Sequence, residues 1–215
     1  MNADEAKKIL DKVIGQIFGY QNPLTLEQVM QKFAFDVRLP QQVYDSTDGS
    51  QTWASSTNPT RFIKMDNARN NEVSDTEGLY PKEPINSLQD LLEKWNRVNL
   101  TTTERQIDSI NIAECDNIIK SENVYRSQDI RRSKNILFSD SMEDSEFIVA
   151  GQRSGGNTFC MRIEDSGECS NSFEVSWSGR ITNSFFIHDA SDMQDSMFCS
   201  NIKGKRFCIA NMQFE

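Results

Sequence analysis

The chain has 215 residues and a net charge of -9, with 37% hydrophobic and 26% charged residues. A chain of this length can bury a substantial core, in one large domain or two small ones. The acidic balance argues against the basic face that binds nucleic acid through counterion release. No apolar run approaches the roughly 18 residues of a membrane-spanning helix, so neither nucleic acid nor a membrane is an expected partner.

Two helices are predicted at the start of the chain. Residues 4–18 carry apolar side chains at helical spacing and end at Gly19. Thr25, followed three residues later by Gln28, is typical of a capping box that opens a second helix over residues 25–33. We interpret the pair as an antiparallel helical hairpin used for packing. A helix-turn-helix is the alternative, which the lack of basic flanks disfavours.

A β-hairpin follows, with strands at residues 42–45 and 50–53 around an Asp48-Gly49 turn. Residues 55–86 show no clear period and are predicted to form an irregular arm that wraps a neighbouring surface. Ser87 then caps a helix that runs to Val98 and is expected to bury an apolar face. We therefore predict an α+β assembly domain over residues 1–103. The expected buried face consists of Leu88, Leu91, Leu92 and Trp95.

From residue 104 an apolar residue, preceded by Ser or Asn, recurs about every twelve positions. A second apolar residue two positions later suggests that both side chains point to one face of a strand. Such repeats predict an all-β solenoid over residues 104–215, parallel and β-helix-like, in which each unit stacks on the next. The structural repeat core comprises Ile112, Val124, Ile136, Phe147, Phe159, Phe173, Phe185, Met197 and Phe207.

Three points of this architecture stay open. Twelve residues could make a full coil or half of one, and an antiparallel sandwich also has short strands at 8–12-residue spacing. The phenylalanines at 147, 159, 173 and 185 would form an internal aromatic ladder if they stack in the core. The handedness of the coil is not readable from the sequence.

Few residues suggest chemistry. The single histidine, His188, precedes Asp189, but no Gly-x-Ser-x-Gly elbow supplies a nucleophile. Acidic side chains recur in two predicted corners, where solvated turns are the ordinary explanation. We therefore predict no catalytic residues, no bound metal and no cofactor. The corner acids are Asp140, Glu143 and Asp144 in one corner and Asp189, Asp192 and Asp195 in the other.

The five cysteines all lie in the repetitive half, are odd in number and lack CxxC spacing. Reduced, semi-buried thiols are expected, rather than disulfides or a zinc site. The N-terminus carries early acids and no apolar h-region, so a signal peptide is not expected. These features predict a protein made in a cytoplasm.

The stretch from Ser133 to Glu215 carries a resemblance to a known group. It begins Ser-Lys-Asn-Ile-Leu-Phe-Ser-Asp, repeats Asn-Ser-Phe units and ends Gly-Lys-Arg-Phe-Cys-Ile-Ala-Asn-Met-Gln-Phe. In this it resembles uncharacterised β-solenoid repeat proteins of tailed bacteriophages and small-genome bacteria, whose repeats are usually richer in Cys. The resemblance implies a structural role in a virion, by association with the group.

The predicted function is a non-catalytic structural or assembly protein of a bacteriophage virion, in the capsid head as decoration, in the neck or in the tail. Its expected partners are other structural proteins of the same assembly, or copies of itself, bound through the N-terminal region and the solenoid edge. That docking edge consists of Phe207, Ile209 and Phe214, because the last repeat reaches Glu215 with no cap after it.

Three alternatives fit the same sequence. A bacterial cytoplasmic scaffold or protein-interaction module would need no further feature. A carbohydrate-active β-helix enzyme would need corner carboxylates about 5–9 Å apart that divide acid and base roles. An ice- or surface-binding solenoid would need a flat row of threonines, and threonine is scarce after residue 104.

Overall fold

The computed structural model describes residues 1–70 and 80–214, and places a mixed N-terminal region before a β-solenoid of about nine coils. The helices are α1 (Ala3–Phe18), α2 (Leu26–Phe33), α3 (Met65–Asn70) and α4 (Leu88–Val98). The strands before the solenoid are β1 (Gln41–Tyr44), β2 (Gln51–Ala54), β3 (Arg61–Lys64) and β4 (Leu100–Thr103). The solenoid strands are β5 (Gln106–Ile107), β6 (Ile110–Ala113), β7 (Asp116–Ile119), β8 (Glu122–Tyr125), β9 (Gln128–Arg131), β10 (Lys134–Leu137), β11 (Asp140–Glu143), β12 (Glu146–Gly155), β13 (Thr158–Glu164), β14 (Ser170–Ser176), β15 (Gly179–Thr182), β16 (Phe185–His188), β17 (Ser191–Gln194), β18 (Met197–Ser200), β19 (Cys208–Ile209) and β20 (Met212–Gln213).

The first two helices form where their caps predict them. Asn2 and Glu5 make a capping box at the start of α1, and Gly19 ends it with a left-handed φ of 72°. Thr25 and Gln28 make the equivalent box on α2. Each helix buries its apolar stripe, so the predicted packing role is confirmed.

The predicted antiparallel arrangement of these helices is wrong. Phe18, at the end of α1, packs on Phe185, while the start of α2 lies near an early coil through Glu27 and Arg126. The connecting segment runs back beside α1, where the Asn22 amide donates to Asp11 at 2.8 Å. Both helices therefore run in the same sense along the solenoid, because each lies against its side and not only against the other helix.

The predicted hairpin is present as the antiparallel pair β1–β2, with Gly49 at φ 73° in the turn. The predicted irregular arm is wrong at residues 61–70, which form β3 and α3; β3 pairs in parallel with β4. A four-residue strand whose partner lies far along the chain leaves no periodic signal, which is why it was missed. The rest of the arm either has no regular structure or, at residues 71–79, lies outside the described residues.

The solenoid strands pair in parallel with a constant offset of twelve residues. Lys134 stands between Glu122 of the preceding coil and Glu146 of the next. Twelve residues are therefore one full coil, and an antiparallel sandwich is excluded for these strands. At the far end, β20 turns back antiparallel along β19, so a short hairpin covers one side of the last coil, which was expected to have no cap after it.

Each coil has four short sides because the backbone bends at almost every third residue. From Asp108 to Asn201 nearly every third residue has a φ between 45° and 68°. One side thus holds an inward residue, an outward residue and a left-handed corner. Asn, Asp and Gly tolerate that conformation best, yet Lys120, Arg132 and Phe198 also adopt it.

The inward positions alternate between small polar and large apolar side chains. In the coil of residues 133–144 they are occupied by Ser133, Ile136, Ser139 and Met142, all buried. The apolar members of all coils make one continuous core along the axis. The sequence unit is therefore six residues, and two units make each coil.

The inward serines form hydrogen-bonded ladders between coils. Ser133 Oγ donates to the carbonyl of Arg131 at 2.7 Å and accepts the amide of Ser145 at 3.1 Å. A buried amide that points inward has no strand partner, so the hydroxyl of the preceding coil satisfies it. Hydroxyls placed in this way belong to Ser121, Ser127, Ser133, Ser139, Ser145, Ser154, Ser166, Ser172, Ser178, Ser184 and Ser196.

The serine and apolar sides exchange places midway along the stack. Up to Ser145 the inward serines follow one six-residue series, and from Ser154 they follow another that is displaced by three residues. Gly151 stands at the exchange, where a Cβ atom would lie 2.7 Å from Ile148 Cγ2 and 2.9 Å from Met142 Sδ. No larger residue fits there without displacing both neighbours.

The predicted repeat core is right for its first three members and wrong for the rest. Ile112, Val124 and Ile136 point inward. The later members follow sequence spacings that differ from twelve, so they fall on neighbouring positions of the coil. The corners hold Phe147, Phe159 and Phe207, and the outward positions hold Phe173, Phe185 and Met197. The residues at the true inward position are Ile148, Cys160, Ser172, Ser184, Ser196 and Cys208.

The predicted internal aromatic ladder is likewise wrong. Phe147 and Phe159 do stack, with ring centroids 4.5 Å apart, but outside the coil and beneath Lys12 of α1. Phe173 packs edge-on against Phe18 at 5.2 Å. Residues two positions apart do not share a face, because the left-handed bend every three residues turns the chain between them.

One outer side of the solenoid forms a second core with α1 and α2, so the two helices pack directly on the solenoid. Its outward residues pack on the apolar stripes of both helices. A helix of sixteen residues spans about 24 Å, the height of about five coils. The covered residues of this side are Tyr125, Leu137, Phe138, Val149, Ala150, Met161 and Phe173.

The small sheets and β4 cover the start of the solenoid. Thr52 and Thr103 share a buried hydrogen bond of 2.7 Å between β2 and β4. Arg105 holds the buried carboxylate of Asp116 at 2.7 Å, and Ser55 donates to the same carboxylate at 2.8 Å. These contacts fix the N-terminal region to the first coil.

Candidate functional site

The predicted acidic corners do not exist as clusters. Because the chain turns at every third residue, Asp189, Asp192 and Asp195 lie at three successive corners of the coil. Two of them bind a neighbour twelve residues away: Asp192 binds Arg180, and Asp195 accepts from the amide of Asn183 at 3.1 Å. The carboxylates are therefore dispersed around the coil and do not converge on one substrate.

The other acidic group is also divided. Asp144 and Glu143 are engaged by Arg132, whose hydrogen bonds lower the pKa of Asp144. Asp140 lies buried on a different side, where burial raises its pKa despite a hydrogen bond of 3.2 Å from the Gln128 amide. Within residues 1–70 and 80–214, no three His, Cys, Asp or Glu side chains are arranged to hold a metal ion.

His188 lies on an open strand face and has a partner that sequence reasoning missed. Its Nδ1 is 2.8 Å from Ser176 Oγ, one coil earlier, and its ring lies 5.2 Å from that of Trp177. Asp189 turns away at the next corner. In the described part of the chain no carboxylate is hydrogen-bonded to this histidine, so the pair lacks the third group of a catalytic triad.

The cysteines take inward positions, where they replace serine or an apolar residue. Cys115 Sγ contacts the Ala113 carbonyl at 3.0 Å and accepts the Ser127 amide at 3.4 Å, as a serine of the ladder would. Burial raises the pKa of Cys115 to about 12 and that of Cys169 to about 11. All five thiols are free and buried, more deeply than predicted. Such thiols are poor nucleophiles and metal ligands.

The surface with the clearest capacity to bind is apolar. The outer side that α1 and α2 cover on the early coils continues past the end of α1 onto the last three coils. There it is largely exposed, because Gly19 ends α1 and only Tyr20 follows at the end of the helix, with its ring 5.7 Å from that of Phe18. We call this surface the C-terminal strip. It consists of Phe186, Phe198, Phe207, Ile209, Met212 and Phe214, which are 42% to 57% exposed.

The strip combines a stacked pair of residues twelve apart with residues in and beside the terminal hairpin. Phe186 and Phe198 stack at 4.9 Å on one corner, and Ile209 pairs with Met212 in the terminal hairpin. The amide of Phe214 donates to the carbonyl of Phe207 at 2.8 Å. The three residues predicted as a docking edge, Phe207, Ile209 and Phe214, therefore lie together within it, on the side of the solenoid and not on its open end.

A second apolar surface lies on α4. The helix forms as predicted, with Ser87 as its cap, but the predicted burial of its face is wrong. It rests on the protein through polar contacts, among them Thr60 to Asn96 at 2.9 Å, so its apolar stripe turns outward. We call this stripe the α4 face. It consists of Leu88, Leu91, Leu92, Trp95 and Val98, which are 44% to 71% exposed.

Monomeric proteins rarely expose contiguous apolar patches of more than a few hundred Å², and larger ones mark interaction sites. Sequence reasoning missed both surfaces as wholes. In the sequence the strip was visible only as apolar residues among the last repeats. The α4 face was visible as an amphipathic helix but was assigned to the interior.

The chain matches no protein-family model, no curated protein and no solved structure. None of the helices in residues 1–70 and 80–214 combines the length and hydropathy needed to cross a membrane. Function is therefore inferred from the geometry of the two apolar surfaces and from the dispersal of the charged groups.

Proposed function

We propose that this protein is a non-catalytic structural component that docks to other subunits of an assembly through the C-terminal strip. The observation that carries this proposal is the strip itself, a row of large apolar side chains on a rigid scaffold. Burying such side chains stabilises a complex by about 25 cal/mol per Å² of apolar surface, before the cost of association.

The scaffold suits such a role. Parallel strands, serine ladders and a continuous core hold each coil to the next, so the strip is presented without ordering a flexible segment. Charges at the corners, paired from coil to coil, keep the other sides soluble. Lys203, Lys205 and Arg206 are exposed on the last coil, where charge discourages edge-to-edge strand pairing. These features favour docking from the side.

We assign the assembly to a bacteriophage virion, in the head, neck or tail, with the other structural proteins of the particle as partners. This proposal rests on the resemblance of residues 133–215 to uncharacterised β-solenoid repeat proteins of tailed bacteriophages and small-genome bacteria. Mass spectrometry of purified particles from the source tests it directly. The chain is expected in particles at a fixed ratio to other structural proteins; its presence only in cell extract would favour a cytoplasmic scaffold and overturn the virion assignment.

A matched pair of variants tests the docking role. Phe198→Lys places a charge in the strip, whereas Trp177→Lys places one on an exposed aromatic corner of a different side. Particles that lack the natural chain should take up Trp177→Lys and not Phe198→Lys. Equal uptake of the two variants would refute docking through the strip.

A further inference from the structure

We propose that the C-terminal strip binds the α4 face of a second copy of this chain, so that copies associate head to tail. This inference deepens the proposed function by naming the partner of the strip, and it rests on that function. Two largely exposed apolar surfaces among residues 1–70 and 80–214, at opposite ends of the solenoid, are the observations that lead to it.

The covered part of the same outer side shows what kind of element it accepts. On the early coils this side is buried by the amphipathic helices α1 and α2. Phe18 of α1 reaches Phe173 and Phe185 at the boundary where cover ends. The strip repeats the covered chemistry of aromatic and aliphatic side chains. An amphipathic helix placed beyond α1 would therefore continue an established mode of packing.

The α4 helix has the matching length. Its eleven residues span about 16 Å. The strip crosses the strands of three coils and the edge strand β20, a height of about 14 Å at the spacing of neighbouring strands. One helix of this length can thus contact every row of the strip.

The helix cannot come from the same copy. It leads directly into β4, which pairs with β3 at the start of the solenoid. The glutamate after β4, Glu104, donates its amide to Trp53 and holds the segment there. Eight coil spacings, about 40 Å, separate that end from the strip. The α4 face that fills a strip must therefore belong to another copy.

The combined surface is large enough for a specific interface. Eleven large apolar side chains, each about half exposed, present on the order of 1,000 Å², the lower bound for a stable contact. Two different surfaces in contact make a heterologous interface, which closes into a ring or continues as a filament. Either outcome suits a repeated structural component.

Analytical ultracentrifugation over a wide concentration range tests the inference. The natural chain should associate reversibly. Leu92→Lys on the α4 face and Phe198→Lys in the strip should each weaken association at least tenfold, while Trp177→Lys leaves it unchanged. All three positions are exposed, so the thermal unfolding midpoints should stay close to that of the natural chain.

Mixing the two damaged variants gives the sharpest result. The intact strip of Leu92→Lys can bind only the intact α4 face of Phe198→Lys, so the mixture should form dimers that grow no further. A natural chain that stays monomeric, a mixture that stays monomeric, or either variant associating alone like the natural chain would overturn the inference. If the chain is monomeric while Phe198→Lys is still lost from particles, the proposed docking role survives and only the self-association falls.

Discussion

The serine ladders make a quantitative prediction at Ser127. Its hydroxyl donates to the Tyr125 carbonyl at 2.9 Å and accepts the amide of Ser139 at 3.0 Å, with both serines fully buried. In Ser127→Ala the Tyr125 carbonyl keeps the amide of Phe138 at 3.1 Å as a partner. The Ser139 amide loses its only partner. Leaving one buried donor unsatisfied costs about 1–3 kcal/mol.

For a chain of this size that loss lowers the thermal midpoint by about 2–12 °C. Thermal and urea unfolding, followed by circular dichroism, measure it directly. Ser127→Cys is the matched control, because Cys115 occupies the equivalent inward position one coil earlier and makes the same two contacts. We expect the cysteine variant to lose less than half as much stability as the alanine variant.

Ser170→Ala removes a half-buried outward hydroxyl whose partner is Thr182 and should change stability by less than about 0.5 kcal/mol. The reasoning fails if Ser127→Ala unfolds at the natural midpoint, or if Ser127→Cys is as damaging as Ser127→Ala. The first result would mean that water or a backbone shift satisfies the Ser139 amide without a side chain, and the second that a thiol cannot replace the hydroxyl at this position.

Three further predictions follow from the same geometry. Lys120 is exposed at a left-handed corner with φ 50°, so Lys120→Gly should stabilise the chain by about 0.5–1 kcal/mol and Lys120→Val should destabilise it by at least about 1 kcal/mol, as measured by urea unfolding. The buried thiols should not react with Ellman's reagent in the native state. Because the pKa of Cys115 is raised in the fold, stability should be unaffected by this group below pH 9 and fall as pH rises toward 12, which unfolding curves at several pH values would show. Burial alone would raise the pKa of Asp116, but hydrogen bonds from Arg105 and Ser55 lower it. The contribution of Asp116 to the free energy of unfolding is therefore present above pH 4 and lost in acid. Asp116→Asn should reduce the stability at pH 7 and make stability depend less on pH in the acid range.

Local signals predicted α1, α2, α4 and the hairpin, but not α3. The capping box at Thr25 and the cap at Ser87 act within one turn of backbone, so their partners lie within a few residues; the box at Asn2 was not recognised, and α1 was predicted from its apolar spacing. The twelve-residue spacing predicted parallel stacking because every coil repeats the same register. The direction of α2 was not predictable, since it depends on contacts such as Glu27 with Arg126, ninety-nine residues apart.

The inward, outward and corner positions of the coil could not be read from the sequence, because the corners accept many residue types. Left-handed corners are usually recognised by Gly or Asn, but here Phe147, Arg153 and Glu174 also occupy them. A corner phenylalanine and an inward isoleucine look alike as apolar residues in a repeat. The three-residue displacement near Gly151 then moved later phenylalanines onto other positions, so an alignment by apolar residues alone could not keep the register.

In a coil with three-residue sides, adjacent residues in the sequence diverge while residues twelve apart meet. Whether a part of the surface can bind a partner therefore depends on columns, which are sets of residues twelve apart that stack along the solenoid. In columns where arginine alternates with an acidic residue, the charges pair with one another, as Arg180 and Asp192 do. A column of large apolar residues stays exposed to water unless another element covers it. The helix α1 covers that column until Gly19 ends it, and Phe198 and Ile209 lie beyond its reach. The length of one helix thus determines which coils are left to bind a partner.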